Sequence, residues 1–170
     1  YASNHFKWEK SFNKSSEIRA RINYMDSKNK FSMGAEMNQI TSYVYFDSAF
    51  APQQFDSALT VYSAFLQKNF HGKHFCFNNK IIWQQSSEDI IHLPQYVTQH
   101  SIYYKGKWFR KALKVQLGFD VSFFTLYYAD AYMPALWQYY RQHEKKIGNY
   151  PFVDFFLNMK IKHARIFFKT

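Results

Sequence analysis

Hydrophobic and polar residues alternate along most of this chain. Between Leu113 and Phe123 every odd position is apolar, and every even position is polar or glycine. A period of two places successive side chains on opposite faces of a β-strand, whereas a helix repeats its apolar positions every three to four residues. The same alternation recurs over residues 18–24, 31–38, 75–84 and 153–162. The pattern predicts an all-β protein.

Short and long connections alternate between the predicted strands. Strands are predicted at roughly residues 5–12, 17–25, 30–46, 59–70, 73–85, 96–104, 107–128, 135–144 and 151–169, about nine in all. Short turns are predicted at 26–29, 71–72, 105–106 and 147–149, and longer connections that contain proline at 47–58, 86–95 and 129–134. Short periplasmic turns and longer external loops are typical of outer-membrane barrels. We therefore predict an antiparallel up-and-down transmembrane β-barrel of the outer-membrane type.

The predicted strand count indicates that this barrel is larger than the chain. Bacterial single-chain barrels have even strand numbers, and an open sheet edge in lipid leaves costly unpaired backbone groups. If the short turns face the periplasm, the last predicted strand, 151–169, ends at the outer face. We expect residues 1–170 to be a single segment from the C-terminal part of a larger barrel, without its last strand.

Aromatic residues make up 22% of the chain, with 19 Phe and 14 Tyr. Membrane barrels place such rings on the lipid face and in girdles at both interfaces. The mean hydropathy is −0.47, and no apolar run approaches the roughly 18 residues of a membrane helix. A barrel fits these values because alternate residues face its interior. The predicted girdle residues are Tyr43, Tyr45, Tyr127, Tyr128, Tyr132 and Trp137.

The net charge of +10 comes from 22 basic and 12 acidic residues. The basic residues are dispersed and form no arginine-rich arm or basic helix, so we predict no nucleic-acid partner. If the apolar positions face lipid, the charges between them face the interior, and a positive interior favours anions. Alternatively, these charges pair across the interior and set no preference. The predicted interior-facing residues are Arg19, Arg21, Glu36, Lys80, Lys114, Asp120, Asp154, Lys160 and Lys162.

No arrangement of residues in the sequence predicts catalysis, a cofactor or a metal. His71 and His74 flank a turn glycine and lack the spacing of a zinc-binding motif. The segment 86–89 has no nucleophile elbow, and Cys76 is the single cysteine, so there is no internal disulfide. Asp120 and Asp154 lie on different predicted strands and meet only if the fold brings them together. We predict a protein that is not an enzyme.

Five segments of the chain resemble a known family. They are NHFKW (4–8), FNNKIIWQQSS (77–87), LPQYVTQHSIYYKGKWFRKALKVQLGFDV (93–121), YYADAYMPAL (127–136) and KKIGNYPFVDFFLNMKIKHARIFFK (145–169). In this order they resemble the C-terminal part of the putative porin family of Bacteroidetes outer membranes. The pair YYADAYMP and IGNYP is the most specific part of the resemblance. The resemblance implies a bacterial outer-membrane barrel in contact with lipid, and members of the family extend beyond both ends of this chain.

Three interpretations of function remain open. The first is a porin-like barrel that passes small solutes by passive diffusion. The second is a barrel that does not conduct and serves as a subunit of a larger outer-membrane assembly, with its long loops binding other outer-membrane or surface proteins. The third is a soluble ligand-binding barrel of lipocalin size, which would turn its apolar faces inward. Conductance separates the first two, and solubility without detergent would favour the third.

Overall fold

The computed structural model describes residues 7–170 and consists of antiparallel strands joined by turns and loops. Eight strands form one sheet: β1 (Ser16–Asp26), β2 (Phe31–Phe46), β3 (Pro52–His71), β4 (Phe75–Ser86), β5 (Tyr96–Trp108), β6 (Leu113–Phe124), β11 (Phe152–Ile161) and β12 (Ala164–Lys169). Four short strands lie between β6 and β11: β7 (Tyr127–Tyr128), β8 (Ala131–Met133), β9 (Gln138–Tyr140) and β10 (Lys146–Ile147). No helix in the described part of the chain is long and apolar enough to cross a membrane.

The main sheet is an antiparallel meander. Its order β1-β2-β3-β4-β5-β6-β11-β12 follows the chain, apart from the short strands inserted after β6. Within the described residues the sheet does not close, because β1 and β12 are each paired on one side only. An all-β meander that is part of a barrel was predicted, and the fold class is confirmed.

The short connections lie at one end of the sheet, and the long connections lie at the other end. Residues 27–30, 72–74, 109–112 and 162–163 join strands at one end, which we call the short-turn end. Residues 47–51, 87–95 and 125–151 join strands at the other, which we call the long-loop end. Short and long connections therefore alternate as predicted, which is the arrangement found in outer-membrane barrels. The short turn predicted at 147–149 is wrong, because these residues lie inside the connection 125–151 at the long-loop end.

Several strands differ from those predicted. Residues 7–12 form no strand, and residues 5 and 6 lie outside the described part of the chain. The predicted strand 107–128 leaves the main sheet after Phe124, and 135–144 contains only the short β9. The predicted strand 151–169 is two strands, β11 and β12, because Lys162 turns the chain with a φ of 49°. Lysine seldom adopts positive φ, so the sequence did not predict a turn at Lys162.

Gly106 lies inside β5 and is not a turn residue, so the turn predicted at 105–106 is wrong. It pairs with Val115, and the ring of Tyr104 lies over it, so that a Cβ on Gly106 would come 2.5 Å from the Tyr104 hydroxyl. Glycine in a strand makes room for an aromatic side chain on the same face. The chain instead turns at residues 109–112, where Phe109, Arg110 and Lys111 all have positive φ.

Many apolar residues of the sheet lie side by side and are exposed. Directly paired residues of antiparallel strands share a face, and Ile22, Ala35, Ala64 and Trp83 pair in succession across β1 to β4. Ile22 is 74% exposed. Soluble monomers rarely expose such a continuous apolar surface, whereas a membrane barrel presents it to lipid. The buried apolar residues of the described chain are Leu59, Cys76, Leu113, Val115 and Leu136.

Candidate functional site

The charges predicted to face the interior lie on one face of the sheet, with the exception of Lys162. On one side of the sheet, Arg21 lies opposite Glu36 and Glu36 lies opposite Ser63. On the other side, Ser101 lies opposite Asp120 and Asp120 lies opposite Asp154. We call this the polar face. It holds the odd-numbered residues of β1, β3, β5 and β12 and the even-numbered residues of β2, β4, β6 and β11, up to the bulge between Thr41 and Tyr43. Lys162 lies in the turn between β11 and β12.

The polar face is the less exposed one along β2, which is the reverse of a soluble sheet. The apolar side chains of Met33 and Met37 are 46% and 39% exposed, whereas the carboxylate side chain of Glu36 between them is 20% exposed. The same contrast holds on β4, where Phe75 and Phe77 are exposed and Cys76 is fully buried. This inside-out distribution is expected if the polar face lines an interior and the apolar face contacts lipid.

The acidic residues of the polar face are paired with cations. Asp120 and Asp154 lie directly opposite each other on β6 and β11. The Nζ atom of Lys169 is 3.0 Å from Oδ2 of Asp120 and 3.2 Å from Oδ2 of Asp154. The hydroxyl of Ser101 donates a hydrogen bond of 2.7 Å to Oδ1 of Asp120. These two carboxylates therefore serve as structural partners of one lysine.

A second cluster of opposite charges lies at the other side of the sheet. Glu36 accepts ion pairs from both arginines of β1: Nε of Arg19 is 3.4 Å from its Oε1, and Arg21 contacts its Oε2. Arg19 also pairs with Glu17 at 2.6 Å. The negative charge of Glu36 is thus shared by two cations, and with Glu17 the two positive and two negative charges of the cluster balance.

Four cations lie side by side near the short-turn end without acidic partners. In the strand register, Lys107 on β5 lies opposite Lys114 on β6, Lys114 lies opposite Lys160 on β11, and Lys160 lies opposite Arg165 on β12. We call these four residues the cationic row. In the described chain none of them makes an ion pair, since the acidic residues of the polar face are held by Arg19, Arg21 and Lys169.

The cationic row destabilises the sheet unless water or anions surround its charges. Like charges directly opposite on neighbouring strands destabilise a sheet, and unpaired charges require water or anions. The row is therefore compatible with an aqueous space beside the polar face. The sequence pattern identified Lys114 and Lys160 but missed Lys107, which was assigned to the start of the predicted strand 107–128 and lies in β5. It also missed Arg165, whose face depends on the turn at Lys162.

The connection 125–151, which we call the outer loop, crosses the long-loop end of the sheet. It leaves β6 and reaches β2, although β3, β4 and β5 lie between them in the sheet. There the backbone N of Arg141 donates to the carbonyl of Phe46 at 2.9 Å, and its guanidinium lies 5.2 Å above the ring of Tyr45. The ring of Tyr140 packs edge-on against Phe50 at 4.7 Å. The outer loop therefore lies across this end of the sheet, from β6 to β2.

Asp47 organises the neighbouring connection between β2 and β3. Its Oδ1 accepts hydrogen bonds from the backbone N–H groups of Ala49 at 2.9 Å and Ala51 at 3.0 Å, and its Oδ2 accepts one from Gln53 at 2.9 Å. Partial burial opposes ionisation of this carboxyl, but the hydrogen bonds together outweigh it and lower its pKa. Asp47 thus keeps its charge, which holds the turn in place.

The predicted girdle residues gather at the long-loop end. The rings of Tyr43 and Tyr45 stack at 6.4 Å on the last part of β2. Tyr127 and Tyr128 form β7, which pairs with β10 inside the outer loop. Tyr132 pairs with Tyr139, and Trp137 is 82% exposed. This is the end at which an outer-interface girdle would lie, and contact of these rings with lipid remains a prediction.

Two histidines and an aspartate that no sequence motif connects meet between the loops. Asp89 and His92 come from the connection 87–95, and His143 comes from the outer loop. One potential ligand atom from each lies within 4.8 Å of the others. The separation of His92 from His143 along the chain explains why sequence reasoning, which weighed His71 and His74, missed this group.

Comparison with known proteins gives one family. The chain matches a family described as putative porin over residues 1–170. No curated protein and no solved structure matches it. The match agrees with the resemblance found in the five sequence segments and with the inside-out distribution of side chains in the sheet.

Proposed function

Because the chain belongs to the putative porin family, we propose that it forms part of a bacterial outer-membrane barrel that passes small solutes, preferentially anions, by passive diffusion. The family indicates a channel or transport protein and not an enzyme. The localisation, the diffusion of solutes and the preference for anions are inferences from the two faces of the sheet.

The cationic row is the observation that carries the preference for anions. Lys107, Lys114, Lys160 and Arg165 present four adjacent positive charges on the face that carries the other polar residues. Strands lie about 4.8 Å apart, so neighbouring charges of the row are closer to each other than the Debye length of about 8 Å at physiological salt. They therefore act together on an ion that passes the row. A cleft lined by one sign of charge concentrates counter-ions. The paired acids elsewhere on the polar face leave this excess uncompensated.

A role as a subunit that does not conduct is the second candidate. It is favoured by the aromatic side chains of the outer loop, since Trp137 is 82% exposed and Tyr139 is 66% exposed. Exposed clusters of large rings often mark protein interaction sites. A soluble ligand-binding barrel would bury an apolar interior, and the exposed apolar side chains of β1, β2 and β4 argue against it.

The proposal is tested by recording from the intact protein, purified in detergent from its native membrane and inserted into a planar lipid bilayer. Stepwise conductance is expected, and a KCl gradient should give a zero-current potential of the sign for anion preference. A preparation from cells that lack the protein is the control. Absence of conductance in repeated insertions would favour the subunit role, and a cation-selective potential would contradict the role given to the cationic row.

A further inference from the structure

We propose that Asp89, His92 and His143 bind a divalent transition-metal ion of the Zn²⁺ class between the connection 87–95 and the outer loop. The three side chains offer one carboxylate and two imidazole ligands, with one donor atom from each within 4.8 Å of the others. Imidazole and carboxylate together suit Zn²⁺ and its neighbours in the first transition row. Neither the family nor the proposed function assigns a site here.

His92 is already oriented as a metal ligand. Its Nδ1 lies 2.9 Å from Oδ1 of Asp130 and donates a hydrogen bond to it. A histidine that gives one ring N–H to a carboxylate presents the lone pair of its other nitrogen, and this is the usual support of a metal-bound histidine. Asp130 therefore fixes both the ring orientation and the tautomer of His92.

The free nitrogen of His92 is buried and unsatisfied. The side chain is 2% exposed, and Nε2 has no hydrogen-bond partner among the described residues. Burying a polar atom without a partner is costly, and such atoms in folded proteins call for an explanation. A metal ion at this position would supply the missing partner.

The other two ligands stand close to this nitrogen. Oδ1 of Asp89 is 4.0 Å from Nε2 of His92, and the rings of His92 and His143 meet edge to face at 5.0 Å. Two ligand atoms on one tetrahedral zinc ion lie roughly 3.3 Å apart, given metal–ligand bonds of about 2.0 Å. Asp89 is 78% exposed, so its side chain can move by the small distance required. Three protein ligands leave a fourth position for water.

Arg141 limits the affinity of the site. Its Nη2 lies 3.3 Å from Nε2 of His143 and also donates to the carbonyl of Asp89. His143 therefore binds the ion through Nδ1, or through Nε2 after the guanidinium moves away from the imidazole. The nearby positive charge repels a divalent cation, so we expect a dissociation constant on the order of micromolar, weaker than that of structural zinc sites.

The proposed metal site would connect two loops at the long-loop end of the sheet. Its ligands come from two separate connections, 87–95 and 125–151. A bound ion would join them and hold the outer loop in its position across the long-loop end. The Tyr128 ring, which contacts His143 at 5.1 Å, would be fixed with it.

The test is a titration of the intact, EDTA-treated protein in detergent with Co²⁺, followed by the visible absorption of the bound ion, and with Zn²⁺ by calorimetry. One ion per chain is expected. His143→Gln and Asp89→Asn, both at exposed side chains, should weaken binding at least tenfold, as should His92→Gln. Asp130→Asn should weaken it by roughly ten- to a hundredfold through the orientation of His92.

Matched controls are His163→Gln and Asp56→Asn, which make the same changes of side chain away from the site. Both should bind as the unmodified protein does. The proposal is overturned if the unmodified protein shows no saturable binding, or if His143→Gln and Asp89→Asn bind with unchanged affinity. Heat-dependent mobility on gels verifies that each variant is folded, and the exposed positions of Asp89 and His143 keep the test decisive if His92→Gln does not fold.

Discussion

Replacing Lys107, Lys114, Lys160 and Arg165 together with glutamate is expected to reverse the ion preference of the channel from anions to cations. The four positions are adjacent in the register of β5, β6, β11 and β12, so the change converts one continuous row from positive to negative. A change of one kT in the potential beside the row alters the anion-to-cation ratio by about sevenfold, and protein surfaces commonly reach several kT. Four glutamates repel one another as four cations do, so the sheet itself should tolerate the exchange.

The measurement is the zero-current potential of the reconstituted protein in a KCl gradient. A matched control replaces Lys14, Lys28, Lys145 and Lys162 with glutamate, which changes the net charge equally at positions outside the polar face of the strands. This control should keep most of the anion preference. The preference of the unmodified protein should also be largest in dilute salt, because the Debye length falls from about 10 Å at 0.1 M to about 3 Å at 1 M. Anion preference that survives the four glutamates would show that the cationic row does not line the path of the ions.

Shortening the outer loop is expected to increase the conductance of a single channel. Residues 129–145 lie between β7 and β10, whose ends, Tyr128 and Lys146, are directly paired. An Asn-Gly dipeptide in place of 129–145 would therefore close a two-residue hairpin and keep the β7–β10 ladder. It removes Arg141, which donates to the carbonyl of Phe46 in β2, and Tyr140, which packs against Phe50 in the connection after β2. Because the narrowest section sets the resistance of a pore, we expect roughly a twofold or greater conductance.

The control for this variant keeps the outer loop but alters its exposed tip. Trp137→Ser and Tyr139→Ser change two exposed rings and leave the hydrogen bond from Arg141 to Phe46 in place. Conductance of this control should equal that of the unmodified protein. If the shortened variant also conducts as the unmodified protein does, the outer loop does not narrow the opening.

The two faces of the sheet could be predicted from the sequence because alternation is a local property. Residues 113–123 alternate without a lapse, and β6 follows them closely. Once strands pair in register, the side chain of each charged residue is assigned to a face. Arg19, Glu36 and Asp120 therefore fall on the face where alternation placed them.

The positions of the turns and the long-range contacts could not be predicted from local alternation. Lys162 and Arg110 turn the chain with positive φ although they carry ordinary side chains, whereas Gly106, the expected turn residue, makes room for Tyr104. The residues after Phe123 are apolar or aromatic apart from Thr125, and this run hid the point where β6 ends. The group formed by His92 and His143 depends on the path of the outer loop, and no local spacing encodes it.

The central claim is that the polar face lines water and the apolar face contacts lipid. Single cysteines placed in turn along residues 114–122 of β6, in a Cys76→Ala background, test it when the protein is embedded in a bilayer and treated with a water-soluble thiol reagent that does not cross membranes. Gly118 is omitted because a side chain there meets the backbone of Ile102. Positions 114, 116, 120 and 122 should react and positions 115, 117, 119 and 121 should not. Reaction at the odd positions with protection of the even ones, or equal reaction at all of them, would contradict the account.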